Sequence, residues 1–145
     1  EIASLTNKEK KAGGLKEVMQ GADIFIGVSK ARLVDVEMVR SMNEKPIIFA
    51  LANPEPEISV TLAKEAGALV VATGRSDFPN QVNNSLAFPG LFRGALDNKI
   101  KQFEPHMFVK AAEELASFVT NPTPEKIIPG PFEEGIAERV ARVVR

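Results

Sequence analysis

Two adjacent asparagines, Asn83 and Asn84, sit where a loop rich in Pro, Asn and Asp gives way to an apolar helical pattern, within the stretch from Thr73 to Gly94. The first turn of a helix presents unpaired N–H donors and the positive end of the helix dipole, the equivalent of roughly half a unit charge. Amide side chains placed there would join the backbone donors in holding an anion such as a carboxylate or a phosphate. Asparagine is also an ordinary helix cap, and the pattern alone leaves both uses open. A third asparagine, Asn53, precedes Pro54. Proline disfavours the helical region for the residue before it, so Asn53 is expected to be extended, with its amide restricted in direction.

Composition bounds the chemistry these groups can support. The chain has 145 residues, 44% hydrophobic and 26% charged, enough for one ordinary domain with a real core. Lys plus Arg number 18 against 19 for Asp plus Glu, a formal net charge of -1. No broad attraction to nucleic acid or to an anionic membrane follows from that balance. Cysteine is absent, which excludes disulfides and thiolate metal sites and suits a cytoplasmic address. The single histidine, His106, cannot build a multi-histidine metal site. No apolar run approaches the ~20 residues of a membrane span, and the N-terminus lacks a signal-peptide layout.

The elements that must position the asparagines follow from periodicity. Glu1 to Gly14 is polar and lysine-rich and reads as a connector. Leu15, Val18 and Met19 lie three and four apart, as in a short helix closed by Gly21. Ala22 to Val28 is short, apolar and β-branched, the pattern of a strand buried on both faces, with Ser29 and Lys30 as loop. Asp35 can cap a helix with Val36, Val39 and Met42 facing inward, ended by Asn43 and Pro46. Ile47 to Ala52 reads as a second buried strand. A helix from about Ser59 should bury Ile58, Leu62, Ala63 and Ala66 and stop at Gly67. Ala68 to Ala72 is a third strand, ending at Thr73 and Gly74. Pro89 suits the first turn of a further helix. Phe108, Ala111, Ala112, Leu115 and Val119 mark a long amphipathic helix opened near Pro105. Asn121 to Pro131, with four prolines, reads as a rigid linker. Ile136, Val140 and Val144 have helical spacing in a terminal helix.

Strands alternating with helices predict an α/β fold built on a parallel sheet with flanking helices. In such sheets ligands bind beyond the carboxyl ends of the strands. Those ends are Gly27 to Ser29, Asn53-Pro54 and Thr73 to Arg75, and all three read as small or polar. A G-x-G-x-x-G turn with an acidic residue ~20 positions later is missing, and Gly90 and Gly94 read as isolated. Glu113-Glu114 and Glu133-Glu134 read as solvated helix faces. No nucleophile and histidine pair, and no tight carboxylate cluster for magnesium, stands out.

GADIFIGVS at Gly21 to Ser29, FALANPEPEI at Phe49 to Ile58, and ATGRSDFPNQVNN at Ala72 to Asn84, with FPG and FRGALD after it, closely resemble the C-terminal half of the nicotinamide-binding domain of bacterial and archaeal malic enzymes. The three blocks keep the family's order and spacing from about Gly21 to Asp97. The resemblance implies a Rossmann-like domain, incomplete at its N-terminal side, with residues 1–120 as core portion and residues 121–145 as linker and terminal helix. It implies oxidative decarboxylation of malate to pyruvate and carbon dioxide, with NAD or NADP reduced and a divalent cation, magnesium or manganese, held by residues outside this segment.

By position, the resemblance implies that Asn53, Asn83 and Asn84 contact malate. It places Gly27, Val28, Ser29, Asn53, Pro54, Thr73, Gly74 and Arg75 beside the cofactor. Lys30-Ala31-Arg32 departs from the glycine- and proline-rich turn of many relatives, and its two basic groups either touch phosphate or are solvated. The family's acid and base, a tyrosine and a lysine, and its metal-binding carboxylates correspond to segments before Glu1, so no catalytic or metal residue is assigned here. No tyrosine occurs in the chain at all. The sequence therefore reads as a fragment, inactive alone, that serves beside the remaining N-terminal part in a homodimeric enzyme. The alternative reading is a non-catalytic nucleotide-binding or interaction module with a Rossmann-like half-domain.

Overall fold

Local sequence signals start and stop most of the elements. The computed structural model describes residues 2–145, in two units, one running to Val70 and the other covering Val71–Arg145. In the first unit, α1 spans Ile2–Leu5 and α2 spans Leu15–Met19, with Gly21 at φ 68 beyond its end. Strands β1, Ile24–Gly27, and β2, Ile47–Ala50, run parallel with Ile24 opposite Ile47 and Gly27 opposite Ala50. They are joined through α3, Val36–Arg40, where Asp35 Oδ1 accepts the Met38 N–H at 2.8 Å as the expected cap. Helix α4, Val60–Glu65, begins in the same way at Ser59, whose Oγ accepts the Leu62 N–H at 3.2 Å. Strand β3, Val70–Thr73, completes a sheet of order β1-β2-β3. This is the α/β fold with a parallel sheet that the sequence predicts.

Burial follows the expectation in places and departs from it in others. All four residues of β3 are buried. In β1, however, Phe25 and Gly27 are buried while Ile24 and Ile26 are 54% and 63% exposed. β1 is an edge strand of this sheet with one face open, and isoleucine on that open face makes a period-two strand look like a continuous apolar run. Leu62, expected inside, is also exposed, whereas Ile58, Val39, Ile48 and Ala63 are buried as expected.

In the second unit a single 3-10 turn, Asn84–Leu86, leads into α5, Phe88–Asp97, followed by α6, Pro105–Phe118, and α7, Ile136–Val143. Leu91, Met107, Ala111, Val140 and Val144 form its core. Burying each of the two fully enclosed valines contributes about 1.5–3 kcal/mol. Gly90 and Gly94 are not isolated: they lie one helical turn apart on α5, against α7. A Cβ on Gly90 would fall 2.5 Å from Val140 Cβ, and one on Gly94 would fall 2.6 Å from Ala141 O. The two backbones approach this closely only because both side chains are missing.

The structure differs from the sequence expectation at two further places. In the inward stripe of α6, Ala111 and Leu115 meet the core as expected, but Met107 is buried in place of Phe108, and Phe108 and Ala112 are exposed. Phe108 instead joins a partly exposed row of rings with Phe103 (centroids 5.6 Å apart), Phe92 and Phe88. The proline-rich segment is packed, not a spacer: Pro129 is fully buried, and Thr123 and Lys126 exchange backbone hydrogen bonds of 3.1 and 3.0 Å.

Candidate functional site

The ends of β1 and β2 are brought together by one carboxylate. Glu57, fully buried, accepts the Ser29 N–H on Oε1 at 2.9 Å and the Ala52 N–H on Oε2 at 3.0 Å. Backbone bonds extend the contact between the two loops: Leu51 N–H donates to Gly27 O (2.9 Å), Arg32 N–H to Pro56 O (3.1 Å) and Val34 N–H to Glu57 O (3.0 Å). The Gly27, Val28, Ser29 turn and the Asn53-Pro54 loop are thus neighbours. The Asn53-Pro54 peptide is cis. Ser29, Asn53 and Pro54 are exposed, as is Val28, so their polar groups are open to a ligand. Of the two basic residues after the turn, Arg32 is engaged at the surface: its Nε donates to Glu55 Oε2 at 3.0 Å.

The end of β3 organises the second unit's candidates. Thr73 is fully buried, and its Oγ1 accepts the Arg75 N–H at 3.2 Å. Its carbonyl accepts the Val82 N–H at 2.8 Å, which places Thr73 and Gly74 beside Gln81 and Val82, immediately before the asparagine pair. Asn83 caps the 3-10 turn, its Oδ1 accepting the Ser85 N–H at 2.9 Å. That bond uses the amide oxygen as an acceptor, and the Nδ2 group of the same side chain carries two N–H donors. Asn84 is exposed. The turn it opens is three residues long, so the strong dipole of an extended helix does not stand behind the pair. Asn53 belongs to one unit and Asn83 and Asn84 to the other.

Arg75 does not project freely. Its Nε and Nη2 donate to Asp77 Oδ1 and Oδ2 at 2.8 and 2.6 Å, and its guanidinium lies 5.6 Å from the Phe78 ring centre. The Arg75 hydrogen bonds hold the Asp77 carboxyl below the usual carboxylate range. The expected solvated faces also carry pairs. Glu133 accepts the Gly130 N–H at 2.7 Å and pairs with Lys126 at 3.0 Å, which together lower its pKa, the backbone bond first. Glu114 accepts from Arg139 Nε at 2.6 Å, and Arg139 also donates to Ser117.

Two residues of this region escape sequence reasoning. One is Glu57, placed among the polar residues after a strand with no signal of burial. The other is Asn80, buried at φ 57, whose Nδ2 donates to Val71 O (3.2 Å) and Pro124 O (2.8 Å) and whose Oδ1 accepts the Ile127 N–H (2.9 Å). A positive φ favours Gly or Asn, but that signal does not separate Asn80 from its neighbours Asn83 and Asn84. Among the described residues no three His, Asp or Glu side chains come together as a metal set, and no helix is long and apolar enough to cross a membrane.

Parallel strands joined through helices, with small and polar residues at the strand ends, define an α/β domain of the Rossmann-like type. The chain belongs to the malic enzyme family: residues 3–144 match the family described as malic enzyme, NAD binding domain. It is 53% identical over 146 residues to the bifunctional malic/malolactic enzyme of Bacillus subtilis, covering 99% of this chain and 36% of that protein. With the NADP-dependent malic enzyme of Rhizobium meliloti it shares 47% identity over 116 residues, 78% of this chain and 15% of the relative. The crystal structure of the NAD-dependent malic enzyme from Thermotoga maritima superposes with a TM-score of 0.93 at 48% identity, covering 99% of this chain and 37% of that one. The chain thus spans about a third or less of the length of these relatives.

Proposed function

We propose that this chain forms one wall of the cofactor and malate site of an enzyme that oxidatively decarboxylates malate to pyruvate and carbon dioxide while reducing NAD or NADP. The observation that carries the reading is the joining of the first two strand-end loops, with Ser29 and Asn53 exposed on adjacent turns. That arrangement sits where nucleotides lie on parallel sheets, and the family match supports it.

The nicotinamide, when bound, supplies the hydride acceptor. The residues of this chain bind and orient. Gly27, Val28, Ser29, Pro54, Thr73, Gly74 and Arg75 border the cofactor, and Asn53 lies between cofactor and substrate. Asn53, Asn83 and Asn84 donate amide N–H groups to the malate carboxylate and hydroxyl side. Neutral amides hold a carboxylate without titrating, and a fixed substrate lowers the barrier by fixing the attack geometry. The donor set for magnesium or manganese is not met by the carboxylates described above, and the remaining part of the enzyme would hold the metal. The whole enzyme would act in the cytoplasm as a homodimer.

The test is malate-dependent NAD(P)H formation by the full-length protein and its Asn84→Ala variant. Loss of one hydrogen bond to a charged group, about 1.5–3 kcal/mol, should lower kcat/KM for malate by roughly 10–100-fold with NAD(P) affinity held. Unchanged malate kinetics would remove the assigned role of Asn84.

A further inference from the structure

Glu57 is the only charged residue in the buried set among the described residues. A buried carboxylate is costly unless it is well hydrogen-bonded, and an apolar side chain of similar size often serves packing as well. What Glu57 supplies beyond packing is geometry. An ionised carboxylate accepts only, and its two oxygens here are divided between two loops, one taking the Ser29 N–H and the other the Ala52 N–H. Gly27 makes room for it: a Cβ at that position would lie 2.5 Å from both Cδ and Oε1 of Glu57. The glycine at the end of β1 and the carboxylate from the loop after β2 therefore fit as a pair.

We propose that Glu57 is a positioning residue, whose carboxylate fixes the separation and orientation of the Gly27–Ser29 turn and the Ala52–Pro54 loop. The groups that hold nucleotide and malate then face the ligands in one arrangement. The inference rests on the reading under Proposed function. Glu57 is fully buried beneath the two loops and bonds their backbone. A glutamine there keeps the volume but turns one acceptor into an N–H2 donor, which must face a backbone N–H, so one loop has to move.

The experiment is steady-state kinetics of malate-dependent NAD(P)H formation by the full-length protein, its Glu57→Gln variant and its Gly27→Ala variant, each with a melting curve. Gly27→Ala reaches the same contact from the other side by displacing the carboxylate. Loss of one charge-assisted loop contact should raise KM for malate or for nucleotide about tenfold or more in both variants, while kcat changes by a smaller factor. A role confined to stability would lower the melting temperature and the active fraction and leave both KM values alone. Unaltered KM values in the two variants, or failure of both to fold, would overturn the proposal. Absence of malate-dependent reduction in the parent protein would instead remove the underlying functional reading, a result seen before any variant is assayed.

Discussion

Replacing Gly90 by alanine should loosen the second unit by an amount that the helix crossing sets. The new Cβ would lie 2.5 Å from Val140 Cβ and 2.6 Å from Ala137 O, against the ~3.5–4.0 Å at which non-bonded carbons rest. One obstacle is a backbone carbonyl inside α7, so no side-chain rotation relieves the clash and the helices must part by roughly 1 Å. Overpacking of this kind costs about 1–3 kcal/mol, and the upper end applies to a rigid neighbour. Alanine in place of glycine within a helix recovers up to about 1 kcal/mol. The expected net loss is about 2 kcal/mol, or a fall in Tm on the order of 10 °C for a unit of this size. Thermal melting followed by circular dichroism would read it, with Gly74→Ala as the control. That added Cβ meets only Val82 O, at an ordinary 3.9 Å. A Gly90→Ala protein melting at or above the parent would refute the close crossing of α5 and α7.

Asn80→Ala removes a buried amide that serves three backbone groups; a loss of about 2–4 kcal/mol is expected. A urea midpoint equal to the parent's would show that these bonds contribute nothing. Asn53→Asp keeps the shape but sets a negative charge against the malate carboxylate, a repulsion of about 1–4 kcal/mol, so kcat/KM for malate in the full-length protein should fall at least about fivefold. Equal activity of the two proteins would remove Asn53 from the substrate site. Asp77 is held at a lowered pKa by Arg75, so its contribution to stability is present above the unfolded carboxylate pKa and is lost as pH falls through the folded one. Carboxyl NMR should show the Asp77 midpoint rising toward the ordinary range in Arg75→Gln, and an unmoved midpoint would contradict the pairing.

Caps were legible because they are local. Asp35 and Ser59 each bond an N–H three residues on, and a short window of sequence contains both partners. Asn83 was legible as a cap for the same reason. Faces were harder to read. Met107 and Phe108 are adjacent and both apolar, so periodicity could not say which one meets the core, and α7 decides it through Val140 and Val144. Ile24 and Ile26 carry no mark of their exposure, because exposure depends on which elements cover the sheet. The four-residue spacing of Gly90 and Gly94 was visible, yet its meaning needs the partner helix some 50 residues later. Around the candidate site, strand-end positions followed from topology rules. The Glu57 bridge over 28 residues and the Asn80 ties over 44 and 47 did not, because nothing in the neighbourhood of either residue records its partner.

The Asn80 ties bear on how the chain would meet a protease. A stretch holding Pro122, Pro124, Pro129 and Pro131 ordinarily ranks among the first places to be nicked, and Lys126 within it offers trypsin a cleavage point. Here the amide on the far side of that scissile bond is clasped by Asn80, and the lysine head is paired with Glu133. An enzyme cleft that must draw in several extended residues would have to undo both first. Digestion should therefore open among the exposed lysines at positions 8, 10 and 11 and reach Lys126 only late.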